Sequence, residues 1–452
     1  MKSKSEKFSD SIYTAIGLGS IALSAYTVYA SFVFHIEKTS ADYALPFIGI
    51  LAYFFSLRMN KEKKLNMILF FIAIALSLYI VEFLLLFLST ENKKIENTII
   101  KKMRYSVVEE YRTKGVDAFP MASASDLNGK PDPNTGPFTL GHISDALLVS
   151  CNETGEWSVY HTDEHGYHNP LGSHNPDLQL VLLGDSFVEG ECVQEKEDVT
   201  SLLREKGYSA LNLGFGGNGP LLELASLIEY AKPLKPKRVL WFFYEGNDLS
   251  DLKNEMLYPM IKNYFDTREY SQNLNKRQEE IDEKIKAKIQ KIETAEQERE
   301  KKNAGNSFPD TLSLMRIRVL VYQNLAKIKK LSRQDEEKKE LQETINTFNQ
   351  ILERANTEVR SWGGTLYFIY LPSTIRYTDS TKYDNDGYRP DILSTAEKLG
   401  IASIDFHQVF SKHKDSFSLY FPFYRRKIES HYTAEGYKLI ADTITEYLKN
   451  ED

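Results

Sequence analysis

Cysteine is scarce: Cys151 and Cys192 are the only two among 452 residues. There is no zinc-finger spacing, no phosphate-cradling loop and no dinucleotide fingerprint, so neither a metal nor an organic cofactor is expected. No block of basic residues alternates with aromatics. With a net charge of −7, that argues against nucleic acid as a partner. Hydrophobic residues make up an ordinary 42%, enough for a sizeable core, and the length leaves room for two or three domains. These apolar residues are unevenly spread, crowding into the first ninety positions.

Ile12 to Phe34 is a run of about 23 apolar or small residues, long enough to cross a bilayer. Lys2, Lys4 and Lys7 precede it, as in a cleaved signal peptide, but the run is too long for one and others follow it. Tyr43 to Leu57 is a shorter candidate, and Leu65 to Ser89 a strong one. Arg58 to Lys64, between the last two, is rich in positive charge. The positive-inside bias puts that loop and the N-terminus in the cytoplasm. Residues 1–90 then form a three-helix anchor in the cytoplasmic membrane, and everything after Ser89 lies outside the cytoplasm. The short second run decides this, because losing it inverts the topology. Glu82 sits inside the third run. An acid there suggests function, although the near end of the helix lets it snorkel.

Residues 91–176 read as a lead-in: a charged stalk, Glu91 to Arg112, a Pro/Gly/Asn/Ser-rich connector, and a hairpin around Asn152–Gly155. His161 to Pro170 packs three histidines and two acids into ten residues. Its spacing matches no compact zinc motif, so it reads as an ordered loop near a pocket. Outside the cytoplasm Cys151 and Cys192 are free to oxidise; two buried thiols are the alternative.

Residues 177–452 alternate strands and helices. Leu178–Leu183, Ser209–Leu213, Arg238–Tyr244, Gly364–Leu371 and Ile401–Asp405 are apolar runs fit for buried strands. Each of the first three ends in a Gly/Asn/Asp/Ser cluster. The pattern predicts an α/β fold with a doubly wound, five-stranded parallel sheet whose clusters meet on one rim. Residues 251 to about 338 interrupt it. Ile281, Ile285, Ile289 and Ile292 form one apolar stripe on a charged helix, and Leu312–Leu331 a broader one. The expectation is a helical-hairpin insert serving as a lid or brace, with self-association or a protein partner as the alternative.

A serine at its ordinary pKa is a poor nucleophile and needs a base within hydrogen-bond reach. Ser186 follows the first strand, and His431 precedes a helix expected to pack beside that strand. Acyl transfer also needs donors aimed at an oxyanion. The Ser186 and Gly217 N–H groups and the Asn247 amide stand at neighbouring strand ends.

These blocks resemble those of the SGNH hydrolases, the GDSL family of esterases, lipases and acyltransferases. Gly184-Asp185-Ser186-Phe187 looks like the first block, with Phe for the usual Leu. Asn212 to Gly217 looks like the second and Gly246-Asn247-Asp248 the third. His431 stands where the last block's histidine belongs. The resemblance implies a flavodoxin-like SGNH fold, Ser186 as nucleophile, His431 as general base, and Ser186, Gly217 and Asn247 as oxyanion hole, with Asp185 and Asp248 in support. One position departs: the family's aspartate three residues before the histidine is here Ile428. Glu429, two residues before His431, is the remaining local candidate to orient the imidazole, as in some polysaccharide-modifying members; otherwise it is a surface acid and the site a Ser-His dyad.

The resulting expectation is a membrane-anchored, extracytoplasmic serine esterase acting on ester-linked acyl groups, acetate foremost, on a surface glycan. An O-acyltransferase and a non-catalytic scaffold of the same fold are the alternatives.

Overall fold

The computed structural model describes parts of residues 11–21 and 50–54, then 57–88, 104–129, 136–153, 155–303, four residues between 317 and 322, 334–378, 387–421 and 430–451. The chain divides into two units, one of residues 1–91 with 305–329, the other of 92–304 with 330–452.

In the first unit, helix α1 (Lys61–Leu88) holds a 24-residue stretch, Glu62–Leu85, long and apolar enough to cross a membrane, the only such helix among the described residues. Most of the two earlier apolar runs lies outside the described residues.

The second unit is built on two sheets. In the smaller, β1 (Ala118–Pro120) pairs parallel with β2 (Leu147–Val149), which pairs antiparallel with β3 (Val159–His161). The β2–β3 pair is the hairpin expected around Asn152–Gly155. The larger sheet comprises β4 (Leu180–Gly184), β5 (Ala210–Gly214), β6 (Arg238–Tyr244), β7 (Thr365–Leu371) and β8 (Ala402–Asp405), in the order β5-β4-β6-β7-β8 and all parallel. The expected five-stranded sheet is therefore present.

Burial on both faces explains why these strands read as unbroken apolar runs. In β6, Val239, Trp241 and Phe243 enter one core and Leu240, Phe242 and Tyr244 the other. β7 divides alike, with Phe368 and Tyr370 on the first face and Ile369 and Leu371 on the second. Helices cover both faces. The short α2 (Ser186–Glu189) leaves β4, α3 (Val199–Glu205) leads to β5, and α4 (Pro220–Ser226) follows β5. After β6 come α5 (Asp248–Glu255) and then α6 (Gln278–Asn303). α7 (Gln334–Ser361) precedes β7, and α8 (Arg389–Lys398) and α9 (Ala434–Glu451) complete the order. α4, α7 and α8 pack on the first face, while α3 and α9 pack on the second. This two-sided cover is the doubly wound arrangement, which places the strand ends on one rim.

Of the expected helical-hairpin insert, α6 is described and packs on the lead-in. Ile281, Ile285 and Ile289 of α6 are buried in the same core as Phe138, Leu140 and Ile143 of the lead-in. Polar contacts fix the register: Ser144 donates from N–H and Oγ to Asp282 at 3.0 and 2.6 Å, and Lys284 donates to the Pro137 carbonyl at 2.6 Å. The isoleucine stripe of this helix thus has its partner in the lead-in. The following segment, 305–329, groups instead with the first unit.

Candidate active site

β4 ends at Gly184, and its tight surroundings exclude a side chain. A Cβ there would lie 2.4 Å from Val188 Cγ2. Asp185 then caps α2, its Oδ1 accepting the Phe187 N–H at 2.9 Å. The cap fixes Ser186 at the first position of α2, on the sheet's rim. Burial pushes the Asp185 carboxyl up, against the Phe187 N–H and the His431 charge, to about 6.

His431 comes from the far end of the chain. Its segment is held by the Phe421 N–H donating to the His431 carbonyl at 3.0 Å and by Tyr432, whose hydroxyl donates to the Pro372 carbonyl at 2.8 Å. The Phe187 ring lies 5.0 Å from the imidazole. His431 Nε2 stands 2.9 Å from Ser186 Oγ, across 245 positions of sequence. The two groups read from sequence as nucleophile and base are thus brought within hydrogen-bond reach.

The imidazole's other nitrogen faces a residue outside the four sequence blocks. His431 Nδ1 lies 3.2 Å from Glu153 Oε1, and the His431 backbone N–H donates to Glu153 Oε2, also at 3.2 Å. One carboxylate therefore grips both the ring and the main chain. Glu153 is brought there by a disulfide, Cys151–Cys192, whose Cα atoms are 4.9 Å apart. Cys192 Sγ is itself 3.3 Å from His431 Nδ1. Glu429, the expected orienting acid, lies outside the described residues.

A second acid approaches the reactive side of the ring. Glu191 Oε2 is 3.6 Å from His431 Nε2. Burial pushes the His431 pKa down. The Glu191 charge, the Glu153 hydrogen bond and the Asp185 charge push it up, and together they carry it to about 9. A base must be neutral to accept a proton, so turnover by Ser186 and His431 is expected to rise with pH through about 9. Glu191→Gln removes the largest upward effect. A pH profile of kcat/KM should show its rise displaced to lower pH, and an unmoved rise would contradict this account of the imidazole.

The oxyanion candidates are positioned by buried acids. Phe215 to Asn218 forms a turn closed by the Asn218 N–H on the Phe215 carbonyl at 3.0 Å. Gly217, at φ +81°, has the conformation that the third residue of a type II turn requires. Glu255 of α5 accepts the Gly219 and Leu221 N–H groups at 2.5 and 2.9 Å, and burial pushes its carboxyl up to about 8. Glu189 accepts the Gly216 N–H at 2.6 Å and the Tyr160 hydroxyl at 2.5 Å, tying this turn to β3.

Asn247 is more occupied than a waiting donor. Its Nδ2 lies 2.8 Å from Asp251 Oδ2 and 3.3 Å from Asp185 Oδ2, since two nearby carboxylates are strong acceptors for an amide. Asp248 lies behind it, accepting the Tyr244 N–H at 2.8 Å. Glu245 fixes the strand end by pairing with Arg376 at 2.5 Å and accepting the Ser373 N–H at 2.7 Å.

The segment from His161 to Pro170 is an ordered loop around Asp163. That carboxylate accepts the N–H groups of His165 and Tyr167, the Asn169 amide at 2.6 Å and His174 Nε2 at 2.9 Å. His168 Nδ1 donates to the Glu189 carbonyl at 2.8 Å, so the loop braces α2.

Two cavities flank the constellation. One, of about 620 Å³, is bordered by Gly246, Asn247, Leu249, Leu341 and Tyr388. The other, of about 530 Å³, is bordered by Cys192, Val193, Phe421 and Thr433.

No family model matches this sequence, and no curated protein does. Among solved structures it is similar to one described as a lipolytic protein of the G-D-S-L family from Desulfitobacterium hafniense, at 13% identity and a TM-score of 0.30, covering 59% of this chain and 97% of that one. It is also similar to the lipase/acylhydrolase from Enterococcus faecalis, at 13% identity and a TM-score of 0.31, covering 61% and 96%. The weight rests on the molecule itself: strand order β5-β4-β6-β7-β8, Gly-Asp-Ser ending the first strand, a glycine turn the second, Gly-Asn-Asp the third, and a histidine before the last helix. With these parts in this order, the chain has the five-stranded parallel α/β sheet that the resemblance to the SGNH hydrolases implies.

Proposed function

We propose that this protein is a serine esterase of the SGNH type, held in the cytoplasmic membrane by its N-terminal region, cleaving ester-linked acyl groups outside the cytoplasm. The observation that carries the reading is the 2.9 Å approach of His431 Nε2 to Ser186 Oγ. His431 takes the hydroxyl proton as Ser186 Oγ attacks the acyl carbonyl carbon. The Ser186 and Gly217 N–H groups hold the resulting oxyanion, and the Asn247 amide joins them by giving up its longer bond, the 3.3 Å one to Asp185. His431 then returns the proton to the departing alkoxide, and water repeats the sequence on the acyl-serine. Glu153 keeps the imidazole oriented and stabilises its charged form.

Acetate on a surface glycan is the proposed substrate. Its support is the anchor helix, the outward topology read from the loop charges, and the likeness of the blocks to that family. Glu153 and Glu191 beside the imidazole also make the site unfavourable to acyl groups that carry a negative charge of their own. The test is hydrolysis of p-nitrophenyl acetate by the full chain in lipid nanodiscs, with and without an acetyl-accepting oligosaccharide. Turnover to free acetate is expected. Absence of turnover at pH 7 to 9 would overturn the reading, and acetate passing to sugar in preference to water would make the enzyme a transferase.

A further inference from the structure

Segments far apart in sequence bring four side chains able to bind a metal to one point behind the catalytic imidazole. The sulfurs of Cys151 and Cys192 and a carboxylate oxygen of Glu153 lie within 4.8 Å of one another. His431 adds the fourth. Its Nδ1 stands 3.2 Å from Glu153 Oε1 and 3.3 Å from Cys192 Sγ. No compact sequence motif announces the set, because its members are spread from position 151 to position 431.

The fold holds these positions as well as the cross-link does. Cys151 stands beside the β2–β3 hairpin, where its carbonyl accepts the Ser158 N–H at 2.9 Å and its own N–H donates to Ser158 Oγ at 3.3 Å. Cys192 follows α2, whose end is closed by the Gly190 and Glu191 N–H groups donating to the Ser186 carbonyl at 3.1 and 3.0 Å. Both cysteines are buried, and the cavity of about 530 Å³ that Cys192 borders offers a way in.

Zinc bound at about 2.0 Å by nitrogen and oxygen and about 2.3 Å by sulfur sets tetrahedral edges of about 3.3 to 3.8 Å. The two distances from Nδ1 are already close to such edges. What the cross-linked form lacks is thiolate, the species of cysteine that binds metal. Opening the disulfide supplies two thiolates and lets the sulfurs move apart. Two thiolates, an imidazole and a carboxylate suit zinc, and are too soft a set for calcium or magnesium.

We propose that the dithiol form of this protein holds a zinc ion on Cys151, Cys192, Glu153 and His431 Nδ1, and that the ion silences the active site. Every copy of the chain is synthesised with two thiols and becomes cross-linked only on oxidation. A dithiol reductant regains that form. It gives up two electrons and two protons and closes to a disulfide, while the Cys151–Cys192 bond opens to two thiols. Zinc then displaces both thiol protons to solvent. A neutral imidazole bound to metal through Nδ1 carries its proton on Nε2. That is the nitrogen facing Ser186 Oγ, so it can no longer accept the serine proton. Oxidation expels the ion and returns Glu153 to Nδ1. The site stands without the esterase reading; its effect on turnover rests on that reading.

The full chain in nanodiscs is reduced with tris(carboxyethyl)phosphine, freed of reductant without air, and titrated with zinc against a chromophoric chelator. About one zinc per reduced chain is expected, and none on the disulfide form. Cobalt in place of zinc should show thiolate-to-metal charge-transfer absorption. Glu153→Gln and His431→Gln should each weaken zinc binding by about tenfold or more. Zinc should raise the Tm of the reduced protein and leave that of the oxidised protein unmoved. It should also abolish the aryl acetate hydrolysis left in the reduced enzyme, and a chelator should restore it. No zinc uptake, equal uptake by the oxidised chain, or uptake that both variants leave unchanged would overturn the proposal. So would a reduced chain that shows no cooperative melting with zinc present. Uptake with full turnover would overturn the silencing. Absence of turnover by the oxidised, zinc-free enzyme would instead overturn the esterase reading, and binding alone would then decide the site.

Discussion

Ser186→Ala should lower kcat/KM for aryl acetate hydrolysis by about 10⁴-fold or more, with thermal unfolding nearly unchanged. The side chain loses one oxygen at the end of a short helix whose cap, Asp185 to the Phe187 N–H, is a separate bond. Stability therefore has little to lose, while chemistry loses its nucleophile. His431→Ala should cost a comparable factor, because a hydroxyl without its base is as ineffective as a base without its hydroxyl. Combining the two should cost little more than either alone, since groups that act as a unit give strongly non-additive losses. Additive losses would mean that the 2.9 Å contact between Oγ and Nε2 is not used in turnover. A Ser186→Ala variant with full activity would remove the assignment altogether.

Glu153→Ala should reduce kcat by about 10²- to 10⁴-fold, the range expected when an imidazole loses the carboxylate that fixes its tautomer and orientation. Glu153 holds both Nδ1 and the backbone N–H of His431, so its loss frees the ring and the segment together. Removing it also removes an upward influence on the imidazole, so the pH at which turnover rises should fall. Glu429→Ala is the informative comparison. With Nδ1 already facing Glu153, it should leave kcat within about threefold of the parent, as for a surface change. A large loss from Glu429→Ala with a small one from Glu153→Ala would return the orienting role to the acid that the sequence motif suggests. The disulfide adds an independent check. Cys192→Ser frees the loop that carries Glu153, so it should mimic part of the Glu153 loss and lower stability by about 3 to 5 kcal/mol.

The sheet was legible because each strand is buried on both faces, and such strands stand out as apolar runs closed by glycine or proline. The rim was legible for the same reason, since Ser186, Gly217 and Asn247 directly follow those runs. Glu153 was not, because it lies 33 positions before Ser186 in the lead-in and reaches the site through tertiary contacts, the Cys151–Cys192 disulfide foremost. A signal existed. Pairing Cys151 with Cys192 brings the residues after Cys151 to the segment after Ser186, and Glu153 is the first acid among them. The partner of the insert's apolar stripe was not legible for a different reason. An isoleucine stripe on a charged helix looks the same whether its partner is solvent-side or the protein's own lead-in, and only the packing of Ile281, Ile285 and Ile289 with Phe138 and Leu140 distinguishes the two. Likewise, spacing alone gave Glu82 no partner, because the donor, Ile317 N–H, is 235 positions away.

On the proposed mechanism, Ser186 is made nucleophilic by an imidazole carried from the other end of the chain. Treating the full-length protein with a fluorophosphonate and mapping the adduct by mass spectrometry tests it most directly. One adduct is expected, on the peptide containing Ser186, forming faster as pH rises towards 9 and absent in His431→Ala. No adduct at any pH, or one that survives Ser186→Ala, would contradict it.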